Sequence, residues 1–207
     1  LPNLEVKIGE DGEVLVRGPS ITKGYYNDPI ETEKSFDEGW FKTGDVGEFD
    51  EDGYLKIIDR KKRIIVLSTG MNVAPQQVEN AVNESPFINQ SLVVGNNRKY
   101  VICLVNPNHE YLLHWVKENK MNMKSREKIC EHPLVKALIE REVRSYTKRL
   151  TKYAQPKKVI IISDDWTIDS GEITPKQSLK TNVIEEKYKN IIERAYAEES
   201  ISIKAII

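Results

Sequence analysis

The sequence predicts an α+β protein made of a small antiparallel β unit, a charged joint, and a compact domain in which strands and helices mix. Three observations carry that expectation. Residues 4–8 and 13–17 alternate apolar and polar side chains, the period of half-buried strands. Five charged residues fall together at Asp59-Arg60-Lys61-Lys62-Arg63. Beyond them, apolar residues recur at helical spacings between short β-branched runs.

The first two strands are separated by Glu10-Asp11-Gly12, where Asp-Gly supplies the positive φ of a tight turn. Asn27-Asp28-Pro29 then caps a short helix over residues 30–36, with proline in its first turn. A second hairpin pairs 46–49 with 54–58 around Asp50-Glu51-Asp52-Gly53. That acidic cluster lacks the alternating ligands and distant Glu of an EF-hand loop, so it reads as a solvated turn. The run from Asp59 to Arg63, taken alone, reads the same way.

After the joint, Val73-Ala74-Pro75 leads into a helix with Val78, Ala81 and Val82 on one face. Strands over 90–95 and 100–105 flank Asn96-Asn97. One helix covers about 109–119, and another about 134–150, with Leu134, Leu138, Tyr146 and Leu150 near one stripe. A β-branched strand follows Pro156 at 157–162. The last helix spans about 183–196, with Ile184, Tyr188, Ile191 and Ala195 in phase. The apolar tail 201–207 receives no assignment.

Lys plus Arg number 31 against 32 Asp plus Glu, so a net charge of −1 gives no electrostatic reason to expect nucleic acid as a partner. No apolar run is long enough to cross a bilayer and no signal peptide opens the chain, which points to the cytoplasm. Cys103 and Cys130 lack a CxxC spacing, and His109 and His114 are poorly spaced for chelation, so no metal held by the protein itself is expected. Leu1 is not an initiator Met, and a strand begins almost at once. That pattern reads as a cut through a longer protein, although mature processing gives the same start.

The sharpest motif is Trp40-Phe41-Lys42-Thr43-Gly44-Asp45. It is joined by Gly24-Tyr25-Tyr26-Asn27, by Gly53-Tyr54-Leu55-Lys56-Ile57-Ile58-Asp59-Arg60-Lys61-Lys62, by Ser68-Thr69-Gly70-Met71-Asn72-Val73-Ala74-Pro75, and by Thr174-Pro175-Lys176-Gln177-Ser178-Leu179-Lys180. This ordered set resembles the adenylate-forming superfamily: acyl-CoA synthetases, aryl-CoA ligases, luciferases and the adenylation domains of peptide synthetases. Within it, Ile57 to Lys62, Val73-Ala74-Pro75 and the Thr-Pro-Lys segment look most like long-chain fatty acid–CoA ligases.

The resemblance implies a reaction in two halves. A carboxylate attacks the α-phosphate of ATP to give an acyl-adenylate and pyrophosphate, and CoA then displaces AMP. Asp45 stands at the family's ribose aspartate, and an ionised carboxylate can accept from both ribose hydroxyls. Arg60 matches the arginine on the other side of the ribose, Lys62 the hinge, and Gly70 the loop that meets the pantetheine arm of CoA. An ordinary turn glycine remains the other reading of Gly70. In the usual long-chain pattern the adenylation lysine aligns with Ser178, which leaves Lys176 and Lys180, two residues to either side, as candidates. If the segment is extended, all three side chains share a face, and a one-step shift delivers either lysine. Where several relatives carry a further lysine, Ile65-Val66-Leu67 is wholly apolar.

The implied architecture divides the chain at about 59–63. Residues 1–59 would be the β piece of a large domain's barrel-like subdomain, and residues 60–207 a lid. The phosphate loop, adenine pocket, acyl pocket and most of the Mg2+ site would then lie in a missing N-terminal part. The expected partners are a fatty acid or other carboxylate, CoA, and that N-terminal domain, with a peripheral place at a membrane left open. An aryl-CoA ligase, another adenylating enzyme, or a non-catalytic nucleotide-sensing module are the alternatives.

Overall fold

The computed structural model describes residues 3–204, and side chains as far as residue 197. The end of the apolar tail and its side chains lie outside the described residues. The chain divides into two compact units, Leu1–Ile64 and Ile65–Ile207.

In the first unit, β1 (Glu5–Ile8), β2 (Glu13–Arg17), β3 (Phe36–Asp37), β4 (Trp40–Phe49) and β5 (Leu55–Arg60) form one sheet in the order β1-β2-β4-β3, with β5 also on β4. Every pairing is antiparallel. Both expected hairpins are present, turned at Gly12 (φ 81°) and Gly53 (φ 82°). β4 starts earlier than the hairpin pattern predicts, because Phe41 and Lys42 pair with Val16 and Leu15 of β2. The short helix α1 (Pro29–Ser35) is capped by Asp28, whose Oδ1 accepts from the Glu31 N–H at 2.9 Å.

Where β2 and β4 pair, the register shifts between Glu13 and Leu15, and Thr43, Gly44 and Asp45 form a bulge opposite. Thr43 Oγ1 donates to the Val14 carbonyl (2.7 Å) and accepts from the Asp45 N–H (3.1 Å), which pins the bulge from within.

The second unit opens with a two-stranded ribbon, β6 (Ile65–Val66) and β7 (Asn72–Val73), followed by α2 (Pro75–Val82). Its main sheet runs β10-β9-β8, from β8 (Ile88–Val94), β9 (Ile102–Pro107) and β10 (Lys158–Ile161). β8 and β9 are antiparallel; β9 and β10 are parallel. Between β9 and β10 lie α3 (His109–Glu118), α4 (Arg126–Glu131) and α5 (Pro133–Thr147), and after β10 come α6 (Thr181–Lys187) and α7 (Lys189–Lys204).

Helices cover both faces of this sheet, so β9 is buried at every position. Alternation decides which core each residue enters. Val101, Cys103 and Val105 join Val78, Leu112, Ile129 and Ile139 on one side. Ile102 and Leu104 join Trp166, Ile173, Ile184 and Ile192 on the other.

Three sequence expectations change here. Helix α5 buries Val135, Leu138, Ile139 and Val143, while Leu134 is exposed. The ridge through Leu134 contains Glu142, whose carboxylate accepts from Ser85 Oγ at 2.9 Å; the ridge Val135-Ile139-Val143 carries no charge, and it faces the core. The last helix is broken at Tyr188 (φ −103°, ψ 12°), and the break brings Ile192 rather than Ile191 inward. Helix α4 was not expected, since six residues between charged neighbours show too little periodicity. Among the described residues, no helix is long and apolar enough to cross a membrane.

Candidate functional site

The β4–β5 ladder sets Asp45 directly opposite Arg60, and Arg60 Nε lies 2.8 Å from Asp45 Oδ1. The Asp45 side chain is 29% exposed and that of Arg60 69%, so an acceptor and a forked donor stand together within reach of solvent. That arrangement suits a ligand rich in hydroxyls or other oxygens.

What holds this pair is the bulge. Gly44 adopts φ 73°, and a Cβ there would meet no atom within 4 Å, so the requirement for glycine is one of backbone alone. We expect Gly44→Ala to cost about 1–2 kcal/mol, the strain of a left-handed L-residue, read as a lower urea midpoint of the chain. The Gly44 N–H donates to Glu13 Oε1 at 2.8 Å. The other oxygen of Glu13 accepts from Lys61 Nζ at 2.7 Å, and Lys61 also reaches Asp11 at 2.6 Å. Hydrogen bonding to Asp11 first, then Glu13, raises the Lys61 pKa, and the same Lys61 bond lowers that of Asp11.

Lys62 lies in the single 3-10 turn Lys61–Arg63, with its side chain exposed. Gly70 closes the β6–β7 turn, donating its N–H to the Leu67 carbonyl at 2.9 Å with φ 82°. The turn by itself demands glycine there, and the exposed position also leaves that backbone open to a ligand.

The lysine-bearing segment is not extended. Ile173 and Leu179 pair as an isolated antiparallel bridge, and the Thr174 N–H donates to the Ser178 carbonyl at 2.8 Å. The Gln177 N–H returns to the Thr174 carbonyl at 2.8 Å, with Gln177 at φ 61°. Pro175 favours this tight turn by presetting φ, which the expectation of a shared face did not allow for. Lys176 therefore sits at the exposed tip of a hairpin, while Lys180 sits at its base as the N-cap position of α6. The structure brings neither together with Asp45 or Arg60 as a described contact.

The base of that hairpin is anchored by a charge. Glu172 is fully buried, accepts from Lys187 Nζ at 2.6 Å and from Ser170 Oγ, and its carbonyl accepts from the Lys180 N–H at 2.7 Å. Burial alone pushes the Glu172 carboxyl up, but the Lys187, Ser170 and backbone hydrogen bonds outweigh it and hold the group down to about 2. Neither Glu13 nor Glu172 was picked out from sequence, because each is defined by partners distant along the chain. Both cysteines are buried, and burial pushes the Cys130 thiol up to about 11 and Cys103 further, so neither is poised as a nucleophile. Among the described residues, no group of three or more His, Cys, Asp or Glu side chains is arranged to hold a metal ion.

Comparison with known proteins follows the same lines. The chain is 36% identical over 200 residues to the long-chain-fatty-acid–CoA ligase FadD15 of Mycobacterium tuberculosis, covering 96% of this chain and 33% of that protein. It is 35% identical to the human long-chain-fatty-acid–CoA ligase 6, covering 90% of this chain and 27% of that one. The chain thus spans about a third of the length of the curated relatives it matches. Among solved structures, the A-PCP didomain of carboxylic acid reductase from Segniliparus rugosus in complex with AMP is similar, with a TM-score of 0.77, 25% identity, and coverage of 97% of this chain and 29% of that one. The O-succinylbenzoate coenzyme A synthetase of Bacillus subtilis, also in complex with AMP, aligns at a TM-score of 0.60 with 25% identity over 88% of this chain and 33% of its own. Residues 62–200 match the pattern of the AMP-binding enzyme C-terminal domain, and the chain belongs to that family.

Proposed function

We propose that the chain supplies the C-terminal part of an ATP-dependent long-chain fatty acid–CoA ligase. The observation that carries this reading is the pairing of Asp45 with Arg60 across β4 and β5, at an exposed edge and on a strained bulge, in a chain whose ligase relatives share most of its length. Asp45 accepts from the ribose hydroxyls of ATP and then of AMP, and Arg60 donates to the same sugar. Residues 60–207 act as a lid that turns at Lys62 between adenylation and thioester formation. Lys176 or Lys180 adds positive charge beside the reacting carboxylate and α-phosphate, where negative charge accumulates. Lys176 is the better placed, since the tip of a hairpin reaches furthest from the body of its unit. The Gly70 turn lies along the pantetheine arm of CoA, and Mg2+ comes with ATP and is held mainly by residues outside this chain.

The test uses the chain together with the residues that precede it in its reading frame. Pyrophosphate release is expected with long-chain fatty acids and CoA and at much lower rates with aromatic acids. The 207-residue chain alone is expected to release none. Preference for an aromatic acid overturns the long-chain assignment, and turnover by the 207 residues alone overturns the division of the site between two parts.

A further inference from the structure

We propose that Glu13 and Lys61 are positioning residues for nucleotide binding, a buried clip that sets the angle between Asp45 and Arg60; the inference rests on the ligase reading above. Glu13 lies at the start of β2, outside every motif that the family resemblance used, and its side chain is 7% exposed. A carboxylate so deeply placed is tolerated only if its oxygens are satisfied. Here each oxygen has one job. Oε1 accepts from Gly44, the residue before Asp45, and Oε2 accepts from Lys61, the residue after Arg60.

The geometry follows from those two bonds. Asp45 leaves the bulge in the direction that the Gly44 peptide allows, and Arg60 leaves the end of β5 in the direction that Lys61 allows. One carboxylate therefore fixes the neighbours of both members of the pair. Without it, the Gly44 N–H would face a buried gap, and the strand end at Lys61 would be held by Asp11 alone, at an exposed contact. The ion pair between Asp45 and Arg60 could still form, but with its two strands free to shift in register by the fraction of an ångström that ribose recognition reads.

The substitutions separate the two bonds. Glu13→Gln keeps an acceptor for Gly44 and turns an amide donor toward the Lys61 ammonium; Lys61→Met removes the cation and leaves the bulge bond in place; Lys61→Arg restores a donor of the same charge. In the full-length ligase, measured by ATP–pyrophosphate exchange, Glu13→Gln and Lys61→Met are each expected to raise KM for ATP by about tenfold, the worth of one charge-assisted hydrogen bond. KM for the fatty acid should move less than about twofold, because nothing in the clip touches the acyl chain. Lys61→Arg should recover most of the loss. Glu5→Gln, which breaks an exposed ion pair with Arg17 on the same sheet, should change neither constant.

A purely structural role would depress turnover and both KM values with the folded fraction, and thermal melts of each variant measure that fraction directly. If KM for ATP stays within about twofold of wild type in both Glu13→Gln and Lys61→Met, the clip does not position the site. If both KM values rise together, its role is general stability and the inference also fails. Asp45→Ala separates this from failure of the ligase reading. An Asp45→Ala enzyme with an unchanged KM for ATP removes the ribose role itself, whereas a damaged Asp45→Ala enzyme beside unaffected clip variants removes only the inference about Glu13 and Lys61.

Discussion

Asp45→Ala in the full-length ligase is expected to lower kcat/KM for ATP by about 100-fold, with the melting temperature nearly unchanged. Two ribose hydroxyls would lose a charged acceptor, each bond being worth about 1.5–3 kcal/mol, and Arg60 would lose the partner now 2.8 Å away. Stability should barely respond, because that ion pair is largely exposed and such pairs contribute little to folding. Asp45→Asn should fall between the two, since the amide oxygen accepts but carries no charge. ATP–pyrophosphate exchange at fixed fatty acid measures the effect, and a loss below about threefold would remove Asp45 from the nucleotide site.

Lys187→Met should have the largest effect on stability among single surface-reaching changes, because it leaves the fully buried Glu172 carboxylate without its cation. Breaking a buried pair by removing one partner costs about 3–5 kcal/mol, and the lower end applies here because the ammonium of Lys187 remains partly in water. The sign of the pH dependence follows from the depressed carboxyl of Glu172, held down to about 2. The pair stabilises the fold fully above the ordinary carboxyl range, and that contribution fades as pH falls from about 4.5 toward 2. Urea unfolding of wild type and variant at pH 7 and at pH 3 should show a gap that narrows in acid. A gap that widens in acid would place the stabilisation elsewhere.

Much of the fold was readable because period and punctuation agreed. Asp-Gly turns, the Asp28-Pro29 cap and the uncharged alternation of β8 and β9 each have one physical solution. Helix α5 shows where reading by residue type fails: leucines drew attention to one ridge, yet Glu142 in that ridge turned the helix so that Val135, Ile139 and Val143 were buried instead. The break at Tyr188 has no proline or glycine to announce it. At the site, Asp45, Arg60 and Gly70 were legible because a motif names them, and the positive φ of Gly44 and Gly70 gives two glycines a physical reason. Glu13 and Glu172 were not, since a carboxylate in a strand or loop looks solvated until a lysine 48 or 15 residues away closes on it. The hairpin geometry around Lys176 was missed because Pro175 was read as part of a motif before it was read as a turn former.

The parallel pairing of β10 with β9 has a consequence for the order of assembly. β8 and β9 are joined by a short turn at Asn96-Asn97 and can meet early, whereas β10 reaches β9 only after the three helices between residues 108 and 157 have been threaded across the sheet. Everything carried after β10 waits for that closure: Trp166, Glu172 and the hairpin that bears Lys176 all join a core whose other half is already in place. By the same logic these residues leave first when the unit opens locally, so the segment with the candidate catalytic lysines occupies the low-stability end of its own domain.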